Sequence, residues 1–231
     1  MAAGSPKRRA PRDSQRARIY AAEHPLPSSP LPGLGACATF ADKVVGTLWW
    51  HARFPALTLD RIPRLRPGHG ARQAFYREDP DGPTITLPRR YRTKGVMLHE
   101  LGHWAMSDDP DLPNHGSTFA RLLLDLTAEY AGPARARALA ESYEERKVRL
   151  GAPPLAGPDG HLRYGWDERL RRCRHQPLLV RHRNDGGDTT TVGIYEGRER
   201  RGSVLRFSGG PFGGEPVRVP LTGVWDVRPP R

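Results

Sequence analysis

A chain of 231 residues with 37% apolar residues, 25 glycines and 24 prolines can bury one core and carry an appendage, but is too rich in Pro and Gly to be packed throughout. Two widely separated cysteines, Cys37 and Cys173, exclude a disulfide framework and fit a reducing compartment, and no apolar run reaches membrane-spanning length. The formal charge of +12, carried mainly by arginine, favours polyanionic partners, but no defined nucleic-acid motif accompanies it, and an excess of Arg, Ala, Gly and Pro is also what a GC-rich genome encodes.

Residues 1–12 form a Pro/Arg/Ser-rich basic tail, expected to be disordered. No apolar segment of the kind found in a secretory leader follows it, so the chain is expected in the cytoplasm and off the membrane. Asp13 or Ser14 is placed to cap a helix running through Ile19 and Tyr20 to about Glu23, and the prolines between Pro25 and Gly35 end it. A second helix is predicted over Thr39–His51, with Phe40, Val44, Val45 and Leu48 on one stripe. Strand-like runs follow at Ala56–Ile62, Ala71–Arg77 and Thr84–Leu87, the last two joined by the turn signal Asp79-Pro80-Asp81-Gly82.

Arg92–Met106 reads as a helix with a broad apolar face, Asp108–Asn114 as a polar loop, and Ser117–Tyr130 as a helix with Phe119, Leu122, Leu123 and Leu126 inward. A charged helix from Pro133 towards Leu150 precedes the Pro/Gly stretch Gly151–Gly160, which reads as a linker. Beyond it, Leu178–Arg183, Thr189–Tyr195, Ser203–Ser208 and Pro216–Val227 are short strand-like runs between Gly-rich turns. They predict a small β-module, a barrel or curled sheet of about five strands, whose separation by the linker implies that metal binding does not need it.

The chemistry resides in His99-Glu100-Leu101-Gly102-His103. Residues four apart share one face of a helix, so His99 and His103 can present imidazoles to one ion. Glu100, one position round, is rotated too far to be a ligand beside them but can accept a proton from a water that the ion polarises. Two surface histidines on an ordinary helix would be the bland alternative, but the motif sits inside an apolar helix directly after a strand-like run. A catalytic zinc site normally takes a third protein ligand and keeps one position open. His115 is the first candidate, at a turn where Gly116 permits a sharp bend and a helix begins; the positive end of that helix disfavours protonation of the ring. Asp109 stands where the spacing HExxHxxGxxH would put its last ligand, but Met106 replaces the glycine of that pattern. Glu129, from a later helix, is a third candidate.

Asp108 and Asp109 are also candidates to receive the second ring N–H of a ligating histidine. Pro83–Pro88 is expected to be an edge strand to which an extended peptide could add. Tyr91, Arg92, Tyr130 and Arg121 are weak candidates for stabilising an oxyanion. In the C-terminal part, Arg169, Arg171, Arg172, Arg174, Arg181, Arg183, Arg198, Arg200 and Arg201 interleave with Tyr164, Trp166 and Tyr195, a texture compatible with nucleic-acid binding and equally with a solvated basic face.

His99 to His103 with His115, Gly116 and Phe119 resembles a family of metallohydrolases known mainly from GC-rich Gram-positive bacteria and their phages. The segment Arg12–Glu23 and the strand Ile85–Pro88 leading to Leu98 are similar to that family too, so the likeness covers roughly residues 12 to 130. More distantly, HExxH followed by a loop and His-Gly is similar to SprT-like zinc peptidases, some of which act on DNA-bound proteins. The four-cysteine zinc ribbon that follows some of those domains is absent here. The resemblance implies a zincin fold, Zn²⁺ on His99, His103 and His115, and Glu100 as general base. The resulting expectation is an α+β, zincin-like metallohydrolase domain over 13–150, a linker over 151–160 and a small β-rich module over 161–231. Its substrate would be a protein or peptide; the alternative is a nucleic-acid-associated protein with a structural or vestigial metal site.

Overall fold

The computed structural model describes residues 13, 15–107, 109, 111–184, 186–199, 203–208 and 216–230, so the basic tail and Arg200 and Arg201 lie outside the described residues. The architecture is mixed α+β, with two hydrophobic cores. The larger is built from Ile19, Val44, Trp50, Ile85, Leu87, Leu98, Phe119, Leu122 and their neighbours, and the smaller from Leu170, Leu178, Val180, Leu205, Phe207 and Val219.

Helix α1 (Arg16–Glu23) buries Ile19 and Ala22 and packs on α6 (Pro133–Glu145). The expected Asp13 cap is not made, and Ser14, the alternative cap, lies outside the described residues. Gln15 occupies the N-cap position, and its side-chain amide both donates to the Arg149 carbonyl and accepts from the Arg149 N–H. The second predicted helix divides in two. Helix α2 (Leu34–Val45) stops at Gly46, and Thr47 restarts the chain as α3 (Leu48–His51), its hydroxyl accepting from the Trp50 N–H. The break turns Trp50 fully inward and leaves Leu48 88% exposed, although periodicity puts Leu48 on the apolar stripe.

Ala56–Ile62 is not a strand. Leu57 is buried, but Leu59–Arg61 is a 3-10 turn with Leu59 half exposed, so the alternation of leucines there is not a pleat. The first strand is β1 (Arg64–Pro67), followed by the hairpin of β2 (Phe75–Asp79) and β3 (Gly82–Leu87), turned by Gly82 at φ 106°. The sheet order is β1-β3-β2, with β3 parallel to β1 and antiparallel to β2. The strand expected at the edge is therefore central, which suits its apolar Ile85 and Leu87. The edge strand packed on α4 (Lys94–Ala105) is β2.

Thr93 caps α4, accepting from the Val96 N–H at 3.3 Å. Helix α5 (Ser117–Tyr130) packs on it, with Phe119 seated against Gly102, where a methyl group would meet the ring at 3.3 Å. After α6, the Pro/Gly stretch is not a free spacer. The Gly151 N–H donates to the Ser117 carbonyl at 2.8 Å, and β4 (Leu155–Ala156) pairs with β5 (Leu162–Arg163). Helix α7 (Trp166–Arg172), which periodicity does not reveal, follows. Then β6 (Pro177–Asn184), β7 (Gly187–Glu199), β8 (Val204–Ser208) and β9 (Val217–Pro220) form a meander, and β10 (Val224–Arg228) returns to pair with β6. A 3-10 turn at Leu221–Gly223 splits the single strand expected over Pro216–Val227. Among the described residues no helix is long and apolar enough to cross a membrane.

Candidate metal centre

One turn of α4 separates His99 from His103, and the loop before α5 brings His115 against both. The His103 Nε2 lies 3.1 Å from the His99 Nε2, and the His115 Nε2 lies 3.4 Å from it. The ligand atoms of all three lie within 4.8 Å of one another, close enough to hold a metal ion. His99 and His115 are buried, and Phe119 stacks on His103 at 4.5 Å between ring centroids.

The far side of two of these rings is fixed by α1 and the residues before it. His99 Nδ1 lies 3.0 Å from both Glu23 carboxylate oxygens, and His115 Nδ1 lies 2.8 Å from Asp13 Oδ2. Tyr20 covers both rings, with centroids 5.1 Å from His99 and 5.2 Å from His115. A carboxylate only accepts, so each Nδ1 carries the hydrogen, and the Nε2 atoms of His99 and His115 are left with lone pairs facing each other. Such lone pairs repel in the absence of a cation between them. Three convergent imidazoles, two of them backed by carboxylates, are a borderline-soft donor set that fits Zn²⁺.

The three rings differ in how readily they take a second proton. Burial, followed by the charges of His99 and His115, holds His103 well below the usual histidine range. Burial and His99 likewise lower His115, against the pull of Asp13. Burial opposes a charge on His99 too, but the carboxylate of Glu23 outweighs it and raises this ring above its ordinary value. Beside them, burial pushes Glu100 up to about 7, opposed by His99 and by a hydrogen bond from the Tyr76 backbone on β2. One Glu100 oxygen, Oε2, is buried without a hydrogen-bond partner among the described residues.

The other sequence candidates lie elsewhere. Asp109 pairs with Arg169 of α7, so it neither joins the histidines nor backs one of them. Asp108 lies outside the described residues. Glu129 is exposed on α5. Tyr130 is hydrogen-bonded to Thr47 at 2.6 Å, Arg121 donates to the Gly151 carbonyl, and Arg92 donates to the Leu87 carbonyl. Tyr91 alone of the four lines a cavity with His99 and Glu100. Sequence reasoning missed Glu23, Asp13 and Tyr20 as part of the site. It also missed Glu168, whose buried carboxylate accepts from the Ser117 hydroxyl, the Thr118 hydroxyl and the Thr118 N–H, each at 2.9 Å. This closes the N-terminus of α5 directly after His115-Gly116, and Gly116 makes room for it: a methyl there would lie 2.8 Å from Glu168 Oε1. No family model, no curated protein and no solved structure matches the chain.

Proposed function

We propose that the chain is a zincin-type, zinc-dependent metallohydrolase acting on peptide bonds. The observation that supports this most is the convergence of three Nε2 atoms, two with their Nδ1–H held by carboxylates, next to a buried carboxylate with one oxygen unpartnered. His99, His103 and His115 would hold Zn²⁺, which supplies Lewis acidity and brings the pKa of a water it polarises towards ~7.

Glu100 takes the proton from the attacking water and then delivers it to the leaving nitrogen. The Glu100 carboxylate, buried beside the histidines with Oε2 unpartnered among the described residues, is placed for both transfers. A purely structural zinc site, as in a nucleic-acid-associated protein, has no use for an unpartnered buried carboxylate of this kind. Peptide is favoured as substrate because β2, an edge strand, has its Tyr76 backbone bonded to Glu100. An extended segment adding to that edge would lie beside the base.

The test is metal content together with two substitutions. Purified protein should carry one zinc per chain. Glu100→Gln should keep it while hydrolysis of a panel of denatured proteins falls by about 10² to 10⁴. His103→Ala should lose both metal and activity. A folded Glu100→Gln protein without zinc would make the carboxylate a ligand and the mechanism wrong, and wild-type protein without stoichiometric metal would overturn the class itself.

A further inference from the structure

A cavity of about 390 Å³ opens beside the metal centre, bounded by His99, Glu100, Glu23, Tyr91, Val96 and Arg135. The Nη1 of Arg135 is buried and has no hydrogen-bond partner among the described residues. The guanidinium lies against the first turn of α4, where a methyl group on Gly95 would come 2.6 Å from its Nη2. That is the positive end of the helix, so its field repels the arginine. The N–H groups of the turn are already used: Lys94 donates to the Ser29 carbonyl, Gly95 to the Ser28 hydroxyl and Val96 to Thr93. Glu23 is the acid whose charge reaches Arg135, and both its oxygens are held at His99 Nδ1. A partly desolvated cation beside a positive helix end, with open space before it, is costly unless an anion arrives.

We infer that Arg135 anchors a carboxylate of the substrate, so that the site takes peptides bearing a negative charge close to the bond it hydrolyses. This rests on the metallohydrolase reading above. The planar fork of a guanidinium matches a carboxylate with two parallel hydrogen bonds, and the apolar Leu26, Ala74 and Val96 in the same cavity suit the side chain that accompanies it. The carboxylate is either the C-terminus of a peptide or an acidic side chain, and the two are separable by experiment.

The experiment is titration calorimetry on the full chain with three probes: N-acetyl-Ala-Leu as the free acid, the same dipeptide as its amide, and N-acetyl-Ala-Glu amide, whose only carboxylate is on the side chain. Each is titrated into zinc-loaded and chelator-treated protein, for wild type, Arg135→Gln and Arg135→Lys. At least one acid should bind about tenfold or more tightly than the uncharged amide, with or without zinc. That preference should vanish in Arg135→Gln and return in part in Arg135→Lys. Which acid is preferred identifies the source of the carboxylate. Equal binding of acids and amide, no binding of either acid, or a preference that survives Arg135→Gln overturns the proposal. If Arg135→Gln does not fold, the wild-type comparison and Arg135→Lys decide. An acid preference in a protein that hydrolyses nothing would overturn the metallohydrolase reading alone, and hydrolysis without the preference would overturn this inference alone.

Discussion

At the scale of single residues, the carboxylates behind the histidines would set how tightly a metal is held there. Glu23 and Asp13 fix the ring orientation and tautomer of His99 and His115 and would raise their basicity towards a metal. Glu23→Gln and Asp13→Asn keep the size of each side chain but not its charge. Each should lower zinc affinity about 10- to 100-fold while far-ultraviolet circular dichroism stays that of wild type, as competition with a chromogenic chelator would measure. Affinity unchanged in both would make these contacts incidental. The cluster of three histidines was legible in the sequence because the i, i+4 spacing of His99 and His103 is local geometry, and His115-Gly116 marks a helix start. Their carboxylate partners were not, since they lie 76 and 102 positions away in sequence and meet the rings only through tertiary packing. Asp13 even carried a plausible local role, as a helix cap, but the N-cap position falls to Gln15, whose side chain bonds Arg149 instead.

At the scale of elements, α5 depends on a distant cap. Its N-cap residue, Gly116, has no side chain with which to accept the first N–H groups, and Glu168 of α7 supplies the acceptor from 50 residues further along. Glu168→Ala removes three hydrogen bonds to a buried carboxylate and opens space beside the His115 loop. A loss of roughly 2–3 kcal/mol, or about 4–12 °C in Tm, is expected, together with weaker zinc binding. A Tm within a degree of wild type, measured by calorimetry, would show that water caps the helix equally well. Helices α4 and α5 were readable from their apolar stripes. Helix α7 was not, because Trp166–Arg172 is short and arginine-rich; its signal was the acid pair Asp167 and Glu168 in the first turn with arginines in the last. The central place of β3 was hidden as well, since its partner β1 lies in Arg64-Leu65-Arg66-Pro67, a run whose charge and proline argue against a strand.

At the scale of the molecule, the Pro/Gly stretch and the change of texture after it suggest a detachable β-module, but the contacts across that stretch predict the opposite behaviour. Glu168 caps α5, Arg171 donates to the Ser117 hydroxyl at 2.6 Å, Arg169 pairs with Asp109, and the Leu162 N–H donates to the Ala52 carbonyl at 2.7 Å. The arginines of the module are also partly neutralised, by pairs such as Arg171–Asp167, Arg183–Asp188 and Arg218–Glu199. Such exposed pairs add little stability, so the clamp on the His115 loop rests on Glu168 and its buried surroundings. A chain ending at Leu150 would leave the Thr118 N–H and the Ser117 and Thr118 hydroxyls without Glu168 and would uncover the loop that presents His115. It should fold less stably, and its zinc affinity should fall by well over about tenfold, because an unsupported third ligand adds its ordering entropy to the cost of binding. The full chain should melt in one transition, as its two cores are joined through buried hydrogen bonds and not through a loose tether. Calorimetry and metal titration on both chains decide the matter. A shortened chain that melts at the wild-type temperature with full zinc affinity would show that residues after Leu150 only rest on the metal domain.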